Sequence, residues 1–206
     1  MRLAKKLKAI KERPDIDRAK NAKGRETFVS EEREVVLLAQ MQMMGAHDIH
    51  DLIIFLVDTG ARVGEALKLE WQHVYDDRVV FMDTKNGKNR AVFLTSRVKE
   101  ALQRRPRTDK GPFTAVKKQG RLRGMWERAR HHMGLDDDKE FVPHLLRHTF
   151  CSRLVQRGVP LAVVQQLAGH SSIATTMRYS HLAPLNLQNA IAALEQPTKV
   201  VNLKVM

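Results

Sequence analysis

The chain has one cysteine in 206 residues, so no disulfide can form within it, and its thiol, Cys151, fits a reducing compartment. Aromatic residues are scarce at 5%, with only two tyrosines, Tyr75 and Tyr179. No apolar run approaches the roughly 18 residues that a membrane-crossing helix needs. The longest, LIIFLV at 52–57, suffices for a buried helical turn or two. The first residues are basic and polar, without the apolar stretch of a secretory leader, so a cytoplasmic location is expected. Acidic residues are also short, 23 against 36 Lys and Arg, leaving a net charge of +13. That surplus says nothing about fold, but it points to a polyanionic partner, nucleic acid ahead of a membrane surface.

What is present suffices for one domain with extensions, since 43% of the residues are hydrophobic. Residues 1–26 carry ten Lys/Arg against four Asp/Glu and no sustained apolar period. They read as a basic linker or arm, with a short helix over 3–10. Residues 27–184 read as the folded domain. It opens with Ser30 as a helix N-cap, acidic residues in the first turn, and an apolar stripe at Val35, Leu38 and Met41. A second helix runs through LIIFLVDT to Gly60, and RVGEALKL makes a third. The period then changes: VYDDRVVFMDTKNGKNRAVFL reads as two strands about a hairpin, because Asn86-Gly87 suits a type I′ turn. Helices are expected again from Ser96, over 118–132, from Leu145 to Gly158, and from Pro160 as the first helical residue to Gly169. Short helices should follow over 172–178 and 184–195, the latter opening a C-terminal helix and tail over 185–206. The expected class is mostly α with a small antiparallel β-sheet (α+β).

Four places set cationic or imidazole groups beside turns or helix starts. TGARVGEAL places Arg62 just past a glycine with Glu65 three residues on. TKNGKNR flanks its turn with Lys85 and Lys88. HLLRHTF puts His144 and Arg147 three apart on one helical face, with His148 next door. GHSSIATTMRY sets His170 nine residues before Tyr179. Each has a plain structural reading: Arg62 as a cap, Lys85 as a solvated turn residue, His144 and His170 bonded at helix ends, Tyr179 as packing, Glu65 as a partner for a nearby base. Together they form the inventory of phosphodiester transfer. Guanidiniums grip non-bridging oxygens and stabilise transition-state charge. An imidazole manages the nucleophile's proton, a lysine protonates a leaving oxygen, and a phenol among such groups attacks without a metal.

In order and spacing, GARVGE, TKNGKNR, HLLRH, LAGH and MRY resemble the catalytic domain of the tyrosine recombinases, the phage-integrase family, over about 30–184. The resemblance implies that Arg62 and Arg147 bind the scissile phosphate, Lys85 protonates the 5′-hydroxyl leaving group, and His144 acts on the tyrosine proton. His170 would bond a phosphate oxygen and Tyr179 would form a 3′-phosphotyrosyl link. It implies double-stranded DNA as substrate, a homo-oligomer (a tetramer) on that DNA, accessory DNA-bending proteins, a nucleoid location and no cofactor or metal. It also implies a tail that docks on a neighbouring protomer. Two departures stand out. Ala168 replaces the usual leucine before Gly169, and a basic segment occupies the place of the usual upstream core-binding domain. An excised catalytic portion and a minimal recombinase are both open readings.

Two other functions are compatible with parts of the sequence. His144, His148 and Cys151 share a helical face, as zinc ligands could, but the segment lacks the glutamate of H-E-x-x-H hydrolases and Arg147 would repel a metal. A non-catalytic DNA-binding regulator of the same fold would be expected to have lost part of the constellation.

Overall fold

At the centre of the molecule lies a helix that is almost wholly covered by its neighbours. A computed structural model describes residues 28–82, 89–107 and 109–184 of the chain. In it, helix α2 (His47–Thr59) buries nine residues, among them Leu52, Ile53, Phe55 and Leu56. At about 1.5–3 kcal/mol for each large side chain, this helix supplies much of the core. Around it lie α1 (Glu31–Met43), α3 (Val63–Lys68) and, beyond a two-stranded sheet, α4 (Ser96–Gln103). A 3₁₀ segment (Thr114–Gly120) leads into α5 (Arg121–His132), and α6 (Leu145–Gln156), α7 (Leu161–Ala168) and α8 (Ile173–Met177) complete the order.

Local chemistry explains most of the boundaries. Ser30 accepts from the Arg33 amide at 3.2 Å and caps α1. Thr95 caps α4, and Gly60 ends α2 at φ 62°. Strands β1 (Arg78–Phe81) and β2 (Arg90–Phe93) pair antiparallel, with Phe81 opposite Arg90 and Arg78 opposite Phe93. That register places residues 83–88 between the strands, where the hairpin turn was expected; these residues, and Lys85 with them, lie outside the described part. So do the helices expected over 3–10 and beyond Pro184.

The apolar stripe of α1 departs from expectation. Val35 is 67% exposed, while Glu34, Leu37 and Met41 are buried. The helix turns Glu34 inward because Arg97 at 2.7 Å and Arg153 at 2.5 Å pair with its carboxylate. Pro160 is the N-cap of α7, in extended conformation, rather than its first helical residue. The segment expected to be helical from 118 is 3₁₀ to Gly120 before α5 begins.

The core has two parts. The larger surrounds α2, with Trp126 donating to the Phe141 carbonyl at 2.7 Å beneath a stacked ring pair. The smaller joins α6 and α7 and holds Phe150, Cys151, Val155, Val164, Ala168 and Tyr179. The site lies where these two parts meet.

Candidate active site

The C-terminus of α7 gathers the arginines. A helix end leaves carbonyls without intrahelical partners, and the helix dipole makes them attractive to cations. Here three successive carbonyls each accept from a different guanidinium. Arg90 Nη1 donates to Leu167 O, Arg147 Nη2 to Ala168 O at 2.6 Å, and Arg62 Nη2 to Gly169 O at 3.5 Å. Gly169 closes the helix at φ 68°, and a Cβ there would stand 2.8 Å from Arg90 Cδ. The glycine of the LAGH segment therefore serves both the turn and the close approach of Arg90.

Glu65 is the carboxylate that ties this cluster together. Its Oε2 accepts from the Arg62 amide at 2.8 Å and from Arg90 Nη2 at 2.8 Å, and Oε1 accepts from Arg62 Nη1 at 2.6 Å. Burial works to raise its pKa, but the Arg62 amide and the two guanidiniums outweigh that and hold it below the usual carboxylate range. Arg147 is 4% exposed, and its second hydrogen bond runs from Nη1 to Gly60 O at 2.6 Å. Burial, with Arg62 and Arg90 adding like-charge repulsion, brings its pKa down to about 10. Burial likewise lowers that of Arg90. The Arg62 side chain is 31% exposed, so part of its fork of donors faces solvent.

Around the arginines stand the imidazoles and the phenol. His170 Nδ1 lies 2.9 Å from Thr176 Oγ1, and burial with Arg147, Arg62, Arg178 and Arg90 nearby lowers its pKa to about 4. His148 falls to about 4 as well, through burial first and then His144, Arg178 and Arg147. His144 sits at the N-cap of α6 with its ring edge-on to that of His148, centroids 4.9 Å apart. Burial and the Arg147, Arg62 and Arg178 charges depress it too. Tyr179 is 3% exposed; its ring packs in the smaller core and its hydroxyl lies 2.6 Å from His148 Nδ1. Burial and the adjacent Cys151 raise the phenol pKa, against a lowering pull from Arg178 and Arg147.

The structure thus brings Arg62, His144, Arg147, His170 and Tyr179 to one region, and the packing reading of Tyr179 also holds for its ring. Arg90 was not singled out in the sequence, and His148 was named there only as the neighbour of Arg147 and as a possible zinc ligand. Arg90 had a signal: it alternates with Val92 on the inward face of β2, where a charged residue needs a partner. His148 had none beyond its place after Arg147, since its contact spans 31 residues. Among the described residues, no three His, Cys, Asp or Glu side chains gather as a metal site would require. Nor is any helix among them long and apolar enough to cross a membrane.

The phage integrase family matches residues 28–185. The integrase of Haemophilus phage HP1 is 31% identical over 183 residues, covering 85% of this chain and 50% of that protein. Tyrosine recombinase XerC of Pediococcus pentosaceus is 28% identical over 180 residues, 79% of this chain and 60% of its own. Among solved structures, the catalytic domain of bacteriophage HP1 integrase aligns with a TM-score of 0.66 at 29% identity, over 80% of this chain and 93% of that one. The XerH site-specific recombinase bound to its difH substrate gives 0.65 at 26%, over 85% and 56%. This chain spans about half the length of the phage integrases it matches.

Proposed function

Because the chain belongs to the phage integrase family, we propose that it cuts and rejoins DNA strands at specific sites through a 3′-phosphotyrosyl intermediate at Tyr179. The observation that carries this reading is the pairing of Arg62 and Arg147 at the end of α7, with His144, His148, His170 and Tyr179 packed alongside. In this reading the two arginines bind the non-bridging oxygens of the scissile phosphate and stabilise the charge of the pentacoordinate transition state. His170 bonds a phosphate oxygen, one of the two histidines at the start of α6, His144 or His148, takes the nucleophile's proton, and Lys85 protonates the departing 5′-oxygen. The arginines supply the charge stabilisation that metal ions give elsewhere, so cleavage should persist in excess EDTA.

Several relatives bear on the partner. The XerH structures hold their difH substrate before and after cleavage, at 26% and 25% identity to this chain. We read double-stranded DNA as the substrate here as well, acted on by a homo-oligomer, a tetramer, with accessory bending proteins, in the setting of phage or mobile-element integration and excision. Residues 27–184 are then the catalytic domain, 1–26 a basic arm on the DNA backbone, and 185–206 a tail that docks on a neighbouring protomer.

The experiment is incubation of the chain with nicked duplex DNA from which the cleaved strand end diffuses away, trapping the covalent complex. A denaturation-resistant protein–DNA band is expected from the wild-type chain. Tyr179→Phe should lose it while still shifting DNA in a gel. A band that persists in Tyr179→Phe, or that maps to Tyr75, refutes the assignment.

A further inference from the structure

We propose that His148, rather than His144, accepts the Tyr179 proton as the phosphotyrosyl bond forms; this rests on the reading of Tyr179 as nucleophile. The direct contact is the first support. The phenol oxygen lies 2.6 Å from His148 Nδ1, at the short end of O–H···N geometry, with ring centroids 5.9 Å apart. The second is burial: with Tyr179 3% exposed, bulk water has little access to its hydroxyl, so the proton must leave to a protein group. The third is arrangement. His144 meets the edge of the His148 ring, one helical turn earlier, and the short contact to the phenol belongs to His148.

The groups facing His148 decide its protonation before the reaction. His144 and Arg147 face it from the start of α6, and Arg178 and Tyr179 from the segment after α8. Burial, and then three neighbours that are cationic or can become so, keep the imidazole neutral near pH 7 and leave one ring nitrogen free to accept. The phenol O–H is then the donor, and the tautomer required is the one with its proton on Nε2.

The phenol proton passes to His148 Nδ1, and the phenol oxygen forms the bond to phosphorus. The P–O5′ bond breaks with its electron pair on the 5′-oxygen, which takes a proton from a separate acid, Lys85 in the present reading. On rejoining, a 5′-hydroxyl gives its proton back to the now neutral acid as its oxygen attacks phosphorus, the phenolate leaves with the electron pair of its P–O bond, and His148 returns the proton to it. A bound phosphodiester brings one negative charge among the neighbouring cations, which offsets the repulsive part of what keeps His148 neutral. The imidazole becomes a better base once the substrate has arrived.

The test has two arms. Nicked duplexes of randomised sequence are first selected by covalent capture on the wild-type chain. Single-turnover adduct formation on the captured duplex is then followed against pH for wild type, His148→Ala, His148→Gln and His144→Ala. His148→Ala should bind the duplex as wild type does, form adduct about 10²–10⁴-fold more slowly, and lose the acid limb of the profile. His148→Gln, which keeps a hydrogen-bonding group but no base, should remain slow, and His144→Ala should retain the acid limb. Near-wild-type rates in His148→Gln reduce His148 to positioning and overturn the proposal. Loss of the limb in His144→Ala instead of His148→Ala also overturns it. The second arm needs no DNA: long-range ¹H–¹⁵N spectra should show His148 protonated at Nε2, and a proton on Nδ1 would refute the contact. Absence of any wild-type adduct, or adduct in Tyr179→Phe, sinks the nucleophile reading and this assignment with it, while the spectra still report on the hydrogen bond.

Discussion

Gly60 is the point where backbone conformation, core packing and the site meet, and Gly60→Ala tests all three. The residue has φ 62°, and a Cβ placed on it would lie 2.3 Å from Phe150 Cδ1 and 2.7 Å from Cε1. The left-handed conformation costs an alanine about 1–2 kcal/mol. Forcing a methyl against a ring that is 7% exposed adds roughly 1–3 kcal/mol of overpacking. The sum, about 2–5 kcal/mol, is a large part of the 5–15 kcal/mol typical of a domain. It should lower Tm by roughly 10 °C.

The two costs can be separated by a double-mutant cycle in urea. Phe150→Ala costs about 3–5 kcal/mol by itself but removes the ring that the new methyl would meet. In that background Gly60→Ala should cost only the backbone component, leaving a coupling of about 1–3 kcal/mol. Activity provides an independent readout, because Gly60 O accepts from Arg147 Nη1 at 2.6 Å. Displacing that carbonyl tilts the guanidinium, so Gly60→Ala should slow adduct formation even at temperatures where it is folded. The reasoning fails if Gly60→Ala lies within 0.5 kcal/mol of wild type by this measure of neutrality, or if its cost is the same with and without Phe150.

Other consequences follow from the same geometry. Arg90→Met should cost about 3–5 kcal/mol in urea melts, since it strands part of the Glu65 charge in a buried setting, and adding Glu65→Gln should recover a portion. An additive double variant would argue against that pair. His148 and His170 bind protons more weakly folded, near pKa 4, than the ordinary 6.5 of the unfolded chain. Acid therefore favours unfolding: their contribution is fully present above pH 6.5 and lost as pH falls through about 4. The loss approaches about 3 kcal/mol for each residue. Chemical denaturation from pH 8 to 4 should show this slope, and His148→Phe should flatten it. Lys85→Ala should slow cleavage of ordinary DNA about 10²–10⁴-fold, and a 5′-bridging sulfur, which leaves without protonation, should restore most of the rate. Sulfur rescue of Lys88→Ala instead would move the acid to the other side of the turn.

The features legible in the sequence are those that local chemistry decides. Ser30 caps a helix because its hydroxyl reaches an amide three residues on, and Gly60 and Gly169 end helices because only glycine takes that conformation freely. The four motifs located most of the candidate site for the same reason: each sits at such a boundary. What escaped depends on distant partners. Val35 and Glu34 compete for the inward face of α1, and the winner is set by Arg97 and Arg153, far along the chain. Arg90 reads as a hairpin cation until the fold brings α7 against β2. The Tyr179–His148 contact depends on how the segment after α8 packs against α6, which no periodicity encodes.

The clustering of three guanidiniums raises the question of what holds them together with so little negative charge. Glu65 alone would leave a strong excess, and like-charge repulsion already joins burial in lowering the pKa of Arg147. The α7 carbonyls answer it. Leu167, Ala168 and Gly169 present consecutive oxygens at the negative end of a helix dipole, and each takes one arginine. These bonds fix the side chains in position while leaving the net charge uncancelled, which a set of carboxylates would not do. Arg90, at 7% exposure, is spent wholly on structure, whereas Arg62 at 31% keeps donors free. The helix end thus prepays the ordering of the cations and leaves their charge for an anion. Any incoming phosphate meets donors already in place, and binding it relieves repulsion that the fold carries by itself. That is the electrostatic preorganisation a phosphoryl-transfer site requires.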